Sequence, residues 1–311
     1  MRIETIFDEW GSIFHTDDMD AAIALGPIYW KQAMYDRRVV VLRNPDATME
    51  QYWKWCSCFG TPWNDTQYRR MRERHTPISV DGQQRYIGLF SNQISARLTN
   101  GGMKWHADNP DLGEKSLPMR ALRMVKCPNP EDGRTGFLNV ELAWKLLPES
   151  VKQEWRSRKV EQQSWYQIGT NFEIYPAVKK HPITGVESPR ANDWCVAGTK
   201  RNDRWIHDVL DADGNRIGGQ EMGDLIGMME KIPNSIWYHR WMEGDIIIYD
   251  NQAFVHNRTP LNLRPDQERL LWRMNIDHDF GFKCKKPKQP AKASLFRTML
   301  QKSSDLLLNQ R

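Results

Sequence analysis

Residues 244–256 read GDIIIYDNQAFVH, a run of apolar residues that ends in a short polar turn and a histidine. An apolar run of this length, bounded by turn residues, indicates a buried strand. A second segment, Trp105-His106-Ala107-Asp108, spaces a histidine and an aspartate two residues apart. In an extended chain this spacing puts both side chains on one face. The sequence therefore predicts two extended segments that each carry residues able to bind a metal.

Together, His106, Asp108 and His256 make a 2-His-1-carboxylate set. Such a set holds a metal ion on one face and leaves three adjacent coordination positions open, as in non-haem Fe(II) oxygenases. A His-x-Asp pair alone is weak evidence for a metal site, because the pattern recurs by chance. A lone histidine is more often a surface or core residue than a metal ligand. The metal hypothesis therefore depends on the rest of the chain.

Residues 268–277 supply that context, because their side chains alternate between two faces of a predicted strand. Arg269 and Arg273 share one face with Leu271 and Asn275, whereas the other face is apolar. Two cations that point into one interior cost free energy unless an anion meets them. A dicarboxylate that chelates the metal at one end would bring its far carboxylate to such a guanidinium, which suits bidentate binding.

From about residue 30 to 280 the chain resembles the TauD/TfdA-like (taurine dioxygenase-like) family of Fe(II)/2-oxoglutarate-dependent oxygenases. The shared motifs follow the family's order. They are YDRRVVVLR at 35–43, FGTP at 59–62, WHAD at 105–108, GRT at 133–135, HPITG at 181–185 and YDN at 249–251 with His256. Arg134 replaces an acidic residue usual in the family, and Asn257 and Arg258 follow the distal histidine where members vary. These departures bear on which substrate the protein binds and not on its expected metal ligands.

The resemblance implies a role for each matching residue. The implied ligands of Fe(II) are His106, Asp108 and His256. Arg269 would bind the C5 carboxylate of 2-oxoglutarate with help from Thr135, and Arg273 would lie near the C1 side of this cosubstrate or near the primary substrate.

Other residues are expected to contact the substrate: Tyr68, Arg70 and Asn92. The first two belong to an arginine-rich stretch at 64–84, which we interpret as a solvated loop or as a lid over the active-site mouth.

The implied reaction consumes O2 and 2-oxoglutarate, releases succinate and CO2, and hydroxylates an unactivated C–H bond of a small polar molecule. It needs no nucleophile or general base, and the sequence has no phosphate-binding glycine loop or dinucleotide fingerprint. An amino acid, a sulfonate, a phosphonate or a quaternary amine would all be compatible substrates. Hydroxylation, desaturation and other oxidative outcomes stay open.

Short strands interrupted by helices predict a mainly β chain with flanking helices, arranged as a double-stranded β-helix, the jelly-roll barrel of cupin-like proteins. We expect one oxygenase domain over residues 1–282, with an insertion at about 109–243 and a basic tail at 283–311. Expected helices cover 20–34, 48–59 and 220–231. Expected strands cover 39–42, 85–94, 103–108, 119–127, 244–249 and 269–277.

Composition narrows the class of protein further. The chain has 311 residues and a net charge of +5. It has no apolar run long enough to cross a bilayer and no signal peptide, which favours a cytoplasmic protein with no membrane partner. Its five cysteines lack zinc-type pairing and are expected to be reduced. A homo-oligomer is compatible with the sequence.

Three alternatives stay open. The first is an oxygenase of the same superfamily that acts on a nucleic-acid base; the arginines at 69–74 favour it, but the 148 positions from Asp108 to His256 favour small-molecule members. The second is a catalytically silent barrel that only binds a ligand. The third is a cupin-like metalloenzyme without 2-oxoglutarate, against which Arg269 and Thr135 argue.

Overall fold

A computed structural model describes residues 1–43, 46–70, 74–93, 102–108, 119–163, 172–192, 200–201, 204–205, 207–279 and 281. In this part of the chain two β-sheets face each other, and helices pack against the outer side of each. The sheets enclose an interior between them, which is the open-ended jelly-roll arrangement that the sequence predicts.

The larger sheet has nine strands, labelled with all others in chain order. They are β1 (Arg2–Thr5), β2 (Ser12–His15), β3 (Val39–Arg43), β4 (Thr61–Pro62), β5 (His75–Val80), β6 (Gln83–Ser91), β8 (Met119–Lys126), β18 (Asp245–Asp250) and β20 (Leu270–Asp277). Their order is β1-β2-β3-β18-β8-β20-β6-β5, and β4 pairs with the end of β20. Only β2 and β3 run parallel among these pairs.

The smaller sheet has four antiparallel strands in the order β17-β9-β19-β7. They are β7 (Met103–His106), β9 (Thr135–Asn139), β17 (Ile236–His239) and β19 (Phe254–Arg258). The remaining strands form small ladders outside the two sheets. They are β10 (Lys159–Gln163), β11 (Phe172–Pro176), β12 (Val178–Lys180), β13 (Glu187–Pro189), β14 (Lys200–Arg201), β15 (Arg204–Trp205) and β16 (His207–Leu210).

Seven helices lie in the described part of the chain. They are α1 (Met19–Ala24), α2 (Gly26–Arg37), α3 (Met49–Ser57), α4 (Asp65–Arg70), α5 (Val140–Leu146), α6 (Glu149–Ser157) and α7 (Gln220–Glu230). The single helix expected at 20–34 is two helices, because Gly26, where the second helix begins, has a φ of +77°, and Pro27 follows it in the first turn. The helix expected at 48–59 is confirmed as α3, with Thr48 as its N-cap.

Three apolar layers hold these elements together. The first lies between the larger sheet and helices α1 to α3 and contains Trp30, Trp55 and Met274. The second fills the interior between the sheets and contains Phe137, Tyr249 and Leu271. The third lies outside the smaller sheet, against α5, α6 and α7. Each strand of the barrel therefore sends alternate side chains to the interior and to a helix layer.

One expected segment differs from the structure. The stretch at 64–84 contains α4 and the edge strand β5, which pairs with β6 along its whole length, so it is not a loop throughout. The expected insertion at 109–243 stays a prediction; its described residues include the barrel strands β8, β9 and β17, and helices α5 to α7 lie between β9 and β17. The basic tail at 283–311 lies outside the described residues.

Cys56, Cys58 and Cys127 are free thiols, whereas Cys195 and Cys284 lie outside the described residues. Among the helices that are described, none is long and apolar enough to cross a bilayer.

Candidate metal and cosubstrate site

The pairing of β7 with β19 sets the two predicted metal histidines directly opposite each other. His106 and His256 are partners in the antiparallel register, and their ring centroids are 4.2 Å apart. Val255 faces the outer helix layer, so His256, the next residue, faces the barrel interior. Two strands that are remote in sequence therefore present both imidazoles to the same interior.

Asp108 completes the cluster just after β7. Its Oδ2 lies 3.6 Å from Nε2 of His256, and the candidate ligand atoms of His106, Asp108 and His256 all lie within 4.8 Å of one another. Nδ1 of His106 lies 2.7 Å from the Lys104 carbonyl oxygen. This hydrogen bond fixes the tautomer in which Nε2 keeps its lone pair for a metal. Two imidazoles and one carboxylate fit Fe(II) by donor type and by spacing.

The protonation states also suit metal binding. Burial lowers the pKa of His106, and burial together with the neighbouring His106 lowers the pKa of His256 to about 3. Burial would raise the pKa of Asp108, but the charge of Arg120, with Arg273 as a further cause, outweighs it and holds that pKa below its usual value. At neutral pH the site offers two neutral imidazoles and one carboxylate, the forms that bind a metal.

Three residues to which the sequence analysis gave no role hold Asp108 in place. Nε of Arg120 lies 3.0 Å from Oδ2 of Asp108, and the Tyr249 hydroxyl donates to the same oxygen at 3.1 Å. The Asn251 side chain accepts from the Asp108 amide at 2.9 Å and donates to the Asp108 carbonyl at 3.0 Å. Alternation in β8 was the available signal for Arg120, because Leu122 and Met124 on its face are apolar.

The residues predicted to bind the cosubstrate lie at the start of β9 and just before β20. Arg269 is buried, and its Nη2 donates to the Gly133 carbonyl at 3.1 Å. Burial, with the charge of Arg258 as a second cause, lowers the pKa of Arg269 to about 10. The Thr135 hydroxyl accepts a hydrogen bond from Trp241 at 3.0 Å, which leaves its own hydrogen for an acceptor.

Asn92 does not have the place expected of a substrate ligand. Its Oδ1 accepts from the Arg269 amide at 2.8 Å, and its Nδ2 donates to the Gln267 carbonyl at 3.0 Å. Both ends of the amide are thus engaged with the chain that enters β20. The structure places Asn92 where it positions Arg269.

The other expected substrate residues divide into two groups. Arg273 is buried, lies over the Phe90 ring at 5.3 Å and contributes to the lowered pKa of Asp108. Tyr68 is fully buried, and its hydroxyl donates to the sulfur of Met274, which belongs to the outer apolar layer. Tyr68 therefore packs outside the barrel, contrary to expectation. The side chain of Arg70 lies outside what the structure describes.

A second cluster of potential ligands, His181, Asp250 and His278, does not favour a metal. Nδ1 of His181 accepts from two backbone amides, at Ile183 and Thr184, so its Nε2 carries the hydrogen that points to Asp250 at 2.8 Å. A guanidinium, from Arg38, also lies 3.3 Å from that carboxylate. The cluster instead anchors the turn that carries Asn251.

A family model described as taurine catabolism dioxygenase, TauD/TfdA family, matches residues 29–275. The chain belongs to this family. As its relatives do, it depends on Fe(II) as cofactor and on 2-oxoglutarate and O2 as cosubstrates, and it is a dioxygenase, as the sequence predicts.

Two relatives of similar identity to this chain are named for different activities. The (S)-phenoxypropionate/alpha-ketoglutarate-dioxygenase of Sphingobium herbicidovorans is 24% identical over 60% of this chain and 67% of its own. A 3-((Z)-2-isocyanoethenyl)-1H-indole synthase of Fischerella ambigua is 24% identical over 60% of this chain and 68% of its own.

A solved structure confirms the fold. A taurine dioxygenase from Burkholderia xenovorans superimposes with a TM-score of 0.62 at 19% identity, over 89% of this chain and 91% of that one. The double-stranded β-helix is thereby confirmed.

Proposed function

We propose that His106, Asp108 and His256 hold Fe(II), that Arg269 and Thr135 bind the far carboxylate of 2-oxoglutarate, and that the substrate is a small anion. The observation that carries the proposal is the register of β7 and β19, which brings both histidines and Asp108 into one buried cluster. The cosubstrate arginine, Arg269, is buried just before β20, and Leu271, two residues on, faces the same interior. A metal and a dicarboxylate can therefore share one enclosed space.

When bound, Fe(II) and 2-oxoglutarate supply the activation of O2 and the oxidation of a C–H bond, with release of succinate and CO2. The side chains of the protein orient the metal ligands and exclude water. Asn251 and Tyr249 keep the Asp108 carboxylate aimed at the histidines. The apolar side chains that surround the charged groups of the interior, including Phe137 and Leu271, exclude water, which strengthens the electrostatic contacts that orient bound anions.

The charge of the interior favours an anionic substrate. Arg120 and Arg273 both lower the pKa of Asp108, so both guanidiniums lie within electrostatic reach of the metal ligands. Two guanidiniums beside the metal ligands make this part of the interior electropositive, which favours an anion there. A carboxylate, sulfonate or phosphonate on the substrate would meet them and would fix its C–H bonds relative to the metal. The relatives named for phenoxypropionate and 2,4-dichlorophenoxyacetate act on carboxylates of this kind.

The metal assignment is tested by binding, without turnover. Affinity for Mn(II), used in place of Fe(II), is measured by calorimetry for the parent protein and for His106→Ala and His256→Ala. We expect each variant to lose more than about 100-fold in affinity, because even outer partners of metal ligands cost 10- to 100-fold. His15→Ala, at the end of β2, where the imidazole contacts Glu4 and not the metal ligands, is the control. Near-parental affinity in both variants would refute the assignment.

The substrate class is tested by matched pairs. Oxygen uptake that depends on 2-oxoglutarate is compared for phenoxyacetate and phenoxyacetamide, for taurine, and for amino acids with a substituted nitrogen, since one relative is named an isocyanide synthase. We expect anions to be preferred by roughly 10-fold or more in kcat/KM, and Arg273→Met to reduce that preference. Equal turnover of the acid and the amide by the parent enzyme would contradict an anionic substrate.

A further inference from the structure

Arg258 is a buried arginine to which no role has been given so far. It is 7% exposed and lies on β19, two residues after His256. The register of β19 with β9 is regular from Phe254 to Arg258, so Arg258 points to the same side as His256, into the barrel. A guanidinium on this face adds positive charge beside the metal ligands, and positive charge in an enclosed interior favours the binding of an anion.

The neighbours of Arg258 are the two residues proposed to bind the cosubstrate. Arg258 is the direct partner of Thr135 in the antiparallel register of β19 and β9. The segment after Arg258 also reaches Arg269, because Gly133 donates its amide to the Pro260 carbonyl and accepts from the Arg269 guanidinium. Thr135 on β9, Arg258 on β19 and Arg269 just before β20 therefore line the same part of the interior.

The backbone also locks these three residues into one unit. Gly133, whose carbonyl accepts from Arg269, donates its own amide to the Pro260 carbonyl at 3.0 Å. The Arg134 amide donates to the Thr259 hydroxyl at 2.9 Å. The start of β9 and the end of β19 thus move together with the Arg269 guanidinium. Two guanidiniums and a hydroxyl with a free hydrogen form a rigid receptor for one carboxylate.

We infer that Arg258 is a second arginine for the far carboxylate of 2-oxoglutarate, so that this carboxylate lies between Arg258 and Arg269 with Thr135 donating to it. The inference rests on the proposed function, because it takes Arg269 and Thr135 as the carboxylate site. Its consequence is selectivity. A site with two buried cations requires a dianionic 2-oxo acid and discriminates strongly against 2-oxo acids that lack the second carboxylate.

The test measures ligand binding in the absence of O2, so that activity is not needed. Mn(II)-loaded protein is titrated by calorimetry with 2-oxoglutarate and with 2-oxopentanoate, which has the same chain length but no second carboxylate. The variants are Arg258→Met, Arg258→Lys, Arg269→Met and, as a control, the exposed Arg264→Met. Affinity for Mn(II) alone is measured for every variant, because Arg258 lies two residues from a proposed metal ligand.

For Arg258→Met we expect 2-oxoglutarate affinity to fall roughly 10- to 100-fold while 2-oxopentanoate and Mn(II) affinities change less than about 3-fold. Arg258→Lys keeps a cation but loses the planar guanidinium that can donate two parallel hydrogen bonds. Its affinity for 2-oxoglutarate should lie between those of Arg258→Met and the parent. Parental 2-oxoglutarate affinity in Arg258→Met overturns the inference. Equal loss of both oxo acids also overturns it, because that result indicates a structural role.

Failure of the inference and failure of the proposed function give different results. If Arg269→Met weakens 2-oxoglutarate binding and Arg258→Met does not, only the second arginine is wrong. If neither variant weakens binding, the carboxylate site itself is wrongly placed.

Discussion

At the scale of single residues, the site depends on side chains that hold the backbone of functional residues. Asn251 brackets Asp108 with two hydrogen bonds, and Asn92 brackets the chain at Arg269 with two others. A metal ligand and a cosubstrate ligand are each oriented by one asparagine. Such outer contacts fix direction as well as distance, so their loss should weaken one ligand and leave the other unchanged.

For Asn251→Ala we expect Mn(II) affinity to fall about 10- to 100-fold, because Asp108 loses both contacts that fix its backbone. Calorimetric titration with Mn(II) measures the change. Asn215→Ala is the control, since the Asn215 side chain also donates to an aspartate, Asp211, but on an exposed hairpin turn. An unchanged affinity in Asn251→Ala would show that Asp108 is held by Arg120 and Tyr249 alone.

For Asn92→Ala we expect the opposite pattern. The Arg269 amide loses its acceptor, which costs about 1–2 kcal/mol and corresponds to roughly 5- to 30-fold weaker binding of 2-oxoglutarate. Mn(II) affinity should stay at the parental value, and the same calorimetric titrations report both quantities. Weaker Mn(II) binding with normal 2-oxoglutarate binding would contradict the role assigned to Asn92.

At the scale of secondary-structure elements, the sequence predicts those helices and strands that contacts between neighbouring residues stabilise. Thr48 and Gln51 form a reciprocal capping box that starts α3, and the sequence shows both residues at the required spacing. The strand β5 could not be predicted, because it contains Pro77 and no apolar run, and only pairing with β6 makes it extended. The extended conformation of β5 therefore depends on tertiary structure.

The same distinction applies to the site. Alternation placed Arg269 and Arg273 on one face of β20, and the residue pattern placed His106 and Asp108 together. The contact of Arg120 with Asp108 depends on which strands are neighbours and in which register, and no single segment contains that information. The sequence therefore identified the ligands but missed the residues that orient them.

The capping box of α3 gives a prediction about stability alone. For Thr48→Ala we expect the free energy of unfolding to fall by about 0.5–2 kcal/mol, because the Gln51 amide loses its acceptor. Urea unfolding followed by circular dichroism measures it. The KM for 2-oxoglutarate should not change, since α3 lies outside the larger sheet; a raised KM would indicate coupling of this helix to the site.

At the scale of the whole molecule, the two sheets separate a charged interior from two apolar helix layers. Charged groups are also buried behind the turn that follows β18, where Asp250 binds Arg38 and His181, and Arg38 binds Glu141. His278 adjoins this network, with Nδ1 at 3.0 Å from the Tyr35 hydroxyl. The network joins three segments to the turn that carries Asn251: the chain between α2 and β3, the residue after β20 and the segment after β12. A change in the protonation of one of its groups therefore affects the stability of the whole fold.

His278 makes stability depend on pH in a defined direction. Burial lowers its pKa from 6.5 to about 4, so between these values the unfolded chain binds a proton that the folded chain does not. The free energy of unfolding therefore falls as pH falls through this window, by up to about 3 kcal/mol. Urea unfolding midpoints of iron-free protein, taken between about pH 4.5 and 8, should show a shallower acid slope in His278→Gln than in the parent. Above about pH 7.5 His278 is neutral in both states, so the two curves should run parallel there. Parallel curves over the whole range would mean that His278 does not set the acid limit of the fold.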